Sequence, residues 1–150
     1  MKLEKMNIEV SGSFDAVIEV GNGTISISTI GAIRDIELNG NLSYNMSGKV
    51  NSIGSMSIGY NASGKVSSIG SMSIGYNMSG KVSSIGSINI GYNMSGKVSS
   101  VGSTSIEYNM SGKVSSIGSA TIEYNMSGKT SSGNRVLVYN DITFALKGGY

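Results

Sequence analysis

The chain contains no cysteine, histidine, proline or tryptophan. Without cysteine there is no disulfide and no thiolate metal site. Without histidine the commonest metal ligand is missing, as is the side chain best suited to proton transfer near neutrality. No cofactor or metal ligand set is therefore expected. Charge is also scarce, at 13% of residues, which is not the charge-rich composition of a disordered chain. No apolar run approaches the ~18 residues that would cross a bilayer as a helix, so no membrane span is expected. Met1–Asn7 alternates charge and lacks an apolar core segment. A secretory signal is not expected, and a cytoplasmic location is the default, with non-classical export as the extracellular alternative.

What the chain has in excess is glycine, with 22 residues, and a period. Tyrosines fall at Tyr44, Tyr60, Tyr76, Tyr92, Tyr108 and Tyr124, each 16 after the last. Each opens Tyr-Asn-x-Ser-Gly-Lys. In the regular copies a Val-x-Ser-Ile/Val-Gly-Ser segment and a short alternating apolar run follow. A fixed period of this length marks a repeat architecture, in which a unit buries its apolar side only against neighbours. Three zones result: an N-terminal β cap at 1–42 with a worn copy of the repeat, the 16-residue repeats at 43–130, and a C-terminal β cap at 131–150. Ser28-Thr29-Ile30-Gly31 matches the later Ser-Ser-Ile-Gly, and Tyr139-Asn140 arrives 15 residues after Tyr124. Net charge is −3 over the first zone, +4 over the repeats and +1 over the tail. That asymmetry is a hint at how copies could meet.

The unit reads as β structure. In Ser71-Met72-Ser73-Ile74-Gly75-Tyr76 the large apolar residues occupy every second position, as in a strand with one buried face. Asn77-Met78-Ser79-Gly80-Lys81 has the residues of a type I turn closed by a glycine bulge, with Met78, Ser79 and Gly80 as the loop. That loop sets Tyr76 opposite Val82. A second three-residue loop at Ser84-Ile85-Gly86 would set Val82 opposite Ile88 and Ser83 opposite Ser87. The expected fold is all-β, a repeat of antiparallel β-hairpins forming an extended, curled sheet. Its greasy face must curl on itself, be covered by the terminal strands, or meet another molecule.

The alternative is a β-solenoid with one coil per repeat. It would turn Met78 and Ile85 inward, but it would stack the lysines at ~4.8 Å with no acidic row beside them.

Tyr44, Asn45, Gly48, Lys49 and Val50, with their equivalents in each later unit, form a pattern that resembles the YD repeat of Rhs-type proteins. The resemblance spans roughly residues 43–140. Asn stands here for Asp and Lys for Arg, and the unit is shorter than the family's. It implies hairpins joined into a long sheet. Enclosure of a cargo does not carry over, because the family members that enclose one are far larger.

The candidate chemistry is thin. The repeats offer identical Ser, Asn, Tyr and Lys with no paired carboxylates, so no enzyme is expected. Gly-Lys-Val-Ser lacks the first glycine and the helix of a phosphate-binding loop. Lys49, Lys65, Lys81, Lys97, Lys113 and Lys129 would line one edge, a row that could follow a polyanion. The tyrosines could stack on a glycan if exposed, but their alternation with Ile and Met favours a place in the core. Each unit carries an Asn-x-Ser sequon, which the turn alone explains. The function expected is non-enzymatic and structural, a protein that self-associates into a homo-oligomer or filament. A polyanion- or glycan-binding module is the alternative.

Overall fold

The computed structural model describes residues 1–21, 23–126 and 135–147. The chain opens with β1 (Lys2–Glu9), β2 (Phe14–Val20), β3 (Gly23–Ser28) and β4 (Ile33–Glu37). An array follows: β5 (Leu42–Tyr44), β6 (Val50–Ile53), β7 (Met56–Tyr60), β8 (Val66–Ile69), β9 (Met72–Tyr76) and β10 (Val82–Ile85). It continues through β11 (Ile88–Tyr92), β12 (Val98–Val101), β13 (Thr104–Tyr108), β14 (Val114–Ile117) and β15 (Ala120–Thr121). The last strands are β16 (Arg135–Tyr139) and β17 (Ile142–Lys147). No helix is present among the described residues.

Strands β5 to β15 form one 11-stranded antiparallel meander in chain order. The expected antiparallel hairpins are therefore present. The solenoid alternative is not, since its coils would stack in parallel. The Asn-x-Ser-Gly-Lys segments that begin at Asn45, Asn61, Asn77, Asn93 and Asn109 make the expected three-residue loop: Asn77 N–H donates to Lys81 at 2.9 Å, Gly80 N–H donates to Asn77 at 3.0 Å, and Gly80 takes φ +81°. The sixth segment, Asn125–Lys129, lies partly outside the described residues. Tyr76 faces Val82 as expected.

The second loop differs. Ile85 pairs with Ile88 and Ser84 with Asn89, so the loop is the two residues Gly86-Ser87. Only Gly86 has a positive φ, +59°, as a type II′ turn requires. The reason lies one strand earlier. Tyr76 pairs with Val82 but Gly75 with Ser84, so Ser83 is an extra residue in a bulge. The bulge resets the alternation, and Val82 and Ile85 both turn inward although three residues apart. Ile85 thus reaches the core without a solenoid. Met78 stays outside.

The apolar face does not curl on itself. Strands β1 to β4 with β16 and β17 form a second sheet, in the order β16-β17-β1-β2-β3-β4, with β1 and β17 parallel. Met6, Ile8, Ala16, Ile18, Val20, Ile25, Ile27 and Phe144 of this cover sheet have no exposed surface. They share one apolar cluster with the repeats' Ile58, Ile74, Ile90 and Ile106 and with the valines that follow the tips. The molecule is a sandwich, with the two terminal segments laid over the array. Tyr139-Asn140 is not another repeat tip. It enters the two-residue β16–β17 turn, where Asn140 and Asp141 both take positive φ.

Ser28-Thr29-Ile30-Gly31-Ala32 is likewise a loop, with the same two backbone hydrogen bonds as a repeat tip, and so is Glu9–Ser13. The three-residue loop geometry of the tips thus recurs in both sheets.

Candidate binding surface: the tyrosine and lysine rows

Within each tip the asparagine side chain holds the turn. Asn77 Oδ1 accepts from Ser79 N–H at 2.9 Å and from Lys81 N–H at 3.0 Å, and Asn45, Asn61, Asn93 and Asn109 repeat both contacts. The tip geometry gives the asparagine of these five sequons a structural role.

The bulge leaves the valine after each tip with an N–H and a carbonyl outside the hairpin ladder, and a buried backbone group must find a partner. The next repeat supplies one. Tyr60 donates to Val50 O at 2.6 Å, Tyr92 to Val82 O, Tyr108 to Val98 O and Tyr124 to Val114 O at 2.5 Å, and Tyr76 donates to Val66 O. The cover sheet supplies the other. The N–H groups of Val66 and Val82 donate to Gly31 and Thr29, and those of Val98 and Val114 to Gly12 and Val10. Phe14 also stacks on Tyr92 at 6.5 Å between ring centroids. The tyrosines are therefore half-buried structural donors, with their hydroxyls engaged. Burial pushes the Tyr76 hydroxyl up to about 12, and it raises Tyr92, Tyr108, Tyr60 and Tyr124 as well. Tyr44, with no valine before it in the series, is exposed.

The expected lysine row exists along the tips. Its ammonium groups face their neighbours. Lys49, Lys81 and Lys97 each donate from Nζ at 2.6 Å to the glycine carbonyl of the next tip, at Gly64, Gly96 and Gly112, and Lys65 does so at 2.9 Å to Gly80. Lys49, Lys65, Lys81, Lys97 and Lys113 also sit 5.4–5.7 Å from the ring centre of the following tyrosine, a cation–π distance. Lys129 lies outside the described residues. Outermost come Met46, Met78, Met94, Met110 and Met126, fully exposed at 106–107%, with Ala62 in the second tip interrupting the series.

Sequence reasoning placed the lysines and tyrosines but missed the valine bulge. Its signal was present: Val82 and Ile85 are an odd number apart, which a flat strand cannot turn to one face. Among the described residues, no three acidic side chains gather where they could hold a metal ion, and no helix is long and apolar enough to cross a membrane. On the exposed edge strand β4, Glu37 is raised above the usual carboxylate range by its hydrogen bond to Asp35 and by the charge there. No family model matches the chain, and neither curated proteins nor solved structures include a significant match.

Proposed function

We propose that this protein is a non-enzymatic structural element that self-associates through the uncovered first-repeat end of its array. The observation that carries this is the state of that end. Leu42 is 43% exposed and Tyr44 58%, whereas Ile58, the counterpart of Leu42 one repeat on, is 3% exposed. Strand β5 has no paired neighbour on its outer side among the described residues and carries no charge. Natural sheets protect such edges with charge, as β4 does with Arg34, Asp35 and Glu37. The acidic first zone lies on the basic array of its own chain, so the open end motivates contact between copies and the charge asymmetry does not.

A polyanion or glycan module, the alternative, would use the lysine row. It draws less support, because four of those ammonium groups already donate to glycine carbonyls within the chain.

Sedimentation velocity over a wide concentration range, at low and high salt, tests the reading. A species heavier than the monomer should grow with concentration and persist in salt, as an apolar contact does. A monomer under every condition overturns it.

A further inference from the structure

The valine N–H contacts form a series. From Val114 to Val98, Val82 and Val66 the acceptors are Val10, Gly12, Thr29 and Gly31. These are the second and fourth residues of the loops Glu9–Ser13 and Ser28–Ala32, taken alternately. The next member is Val50, and among the described residues the cover sheet has no further loop of this kind to place before it. A groove of about 520 Å³ lies there instead, bordered by Val50 and Tyr60 on the array and by Ile30 and Ile33 on the cover sheet. Ile30 is 55% exposed at its rim.

What fits the groove is another loop of the same geometry, with a carbonyl at its second position and an apolar side chain beside it. Val10 shows what that side chain does, since it packs against the core cluster. The first tip, Asn45–Lys49, has this geometry and carries Met46 at the second position. It is also the described tip that no lysine ties down. Gly64, Gly80, Gly96 and Gly112 each accept from the preceding lysine, and no repeat lysine precedes Gly48.

One more feature points the same way. The second tip borders the groove through Ser63 and Gly64, and it is the described tip that carries alanine where the others carry methionine. Ala62, next to Ser63 at the rim, presents a smaller side chain than the methionine of the other tips.

We infer that two copies of this chain form a closed two-fold dimer, in which the first tip of each enters the groove beside Val50 of the other. Tip and groove adjoin on one chain, so a two-fold axis satisfies both contacts at once and ends growth at two copies. The Met46 side chain of one copy enters the apolar groove of the other, and its carbonyl meets the Val50 N–H. This rests on the self-association proposed above and names its partner and contact.

The absence of native cysteine makes the test direct. Met46→Cys and Ala62→Cys proteins are mixed and oxidised, with Met110→Cys mixed with Ala62→Cys as the control. The Met46–Ala62 mixture should give a covalent heterodimer, about tenfold more than the control. Ala62→Met, which only restores the residue of the other repeats, should keep the melting temperature of the dilute monomer unchanged and weaken dimerisation about tenfold, some 1.4 kcal/mol. Association that survives Ala62→Met, with cross-linking no better than the control, overturns the tip-in-groove contact and leaves self-association standing. A wild-type protein that is monomeric throughout removes both.

Discussion

The hydroxyl of Tyr92 donates at 2.5 Å to the carbonyl of Val82, ten residues earlier, while the Val82 N–H donates to Thr29 in the other sheet. One fully buried backbone unit thus joins two repeats and the cover sheet. Tyr92→Phe keeps the ring and removes the donor, leaving the Val82 carbonyl without a partner at a cost of about 1–3 kcal/mol. Tyr44→Phe, at the exposed start of the row, should cost close to nothing. Urea midpoints of the two variants check this, and equal shifts would count against the ladder.

The same burial sets an alkaline limit. The folded Tyr76 hydroxyl titrates at about 12, against 10.0 for the free side chain, because burial disfavours the phenolate. A group raised in the folded state contributes stability that is whole below the unfolded value and is lost as pH rises through the folded one. Stability should therefore hold to about pH 10 and fall between about 10 and 12. Tyr92 and Tyr108, more deeply buried, steepen the loss. Tyrosinate absorbance and β-sheet circular dichroism, followed together, should change in one transition for the interior tyrosines. Full ionisation of all tyrosines with the sheet intact would contradict the burial.

Glycine 80 tests the tip. Its φ of +81° is the left-handed conformation that side chains branched at Cβ resist. Gly80→Val should cost about 1–2 kcal/mol in thermal or urea unfolding. An unchanged melting temperature would mean that the loop is not the three-residue turn described.

Much of this molecule is legible in its residues, for local reasons. Asn77, Gly80 and Lys81 specify a turn through contacts no more than four residues apart, so the tip, its register and the Tyr76–Val82 pair follow from the sequence. The alternation Met72, Ile74, Tyr76 specifies a strand and its inward face. The second loop is less legible, because the Ser83 bulge is stabilised from outside the hairpin. Its partners are Tyr92, in the next repeat, and Thr29, more than fifty residues earlier. The arrangement of the terminal segments is a nonlocal matter too. Strands such as Phe14–Val20 show their buried face in sequence, but nothing local says that β1 pairs in parallel with β17 or that the resulting sheet lies over the array. The lysine row was visible as a series. Its engagement with glycine carbonyls depends on the spacing of neighbouring tips.

Methionine 78 and isoleucine 85 separate the bulged hairpin from an inward-coiled repeat. Both are large, apolar and set beside a glycine-containing turn, and a solenoid would bury the two alike. Here Met78 stands wholly in solvent, while Ile85 is 1% exposed on the core face that the Ser83 bulge creates for it. Met78→Ser removes no buried surface and should change stability by less than about 0.5 kcal/mol. Ile85→Ala removes buried methyl and methylene groups and leaves a cavity between the sheets, at about 2–5 kcal/mol. Urea unfolding of both variants, with unchanged slope, is the measurement. Comparable losses at the two positions would mean that the methionine is buried in solution, and that the tips do not stand free as this register requires.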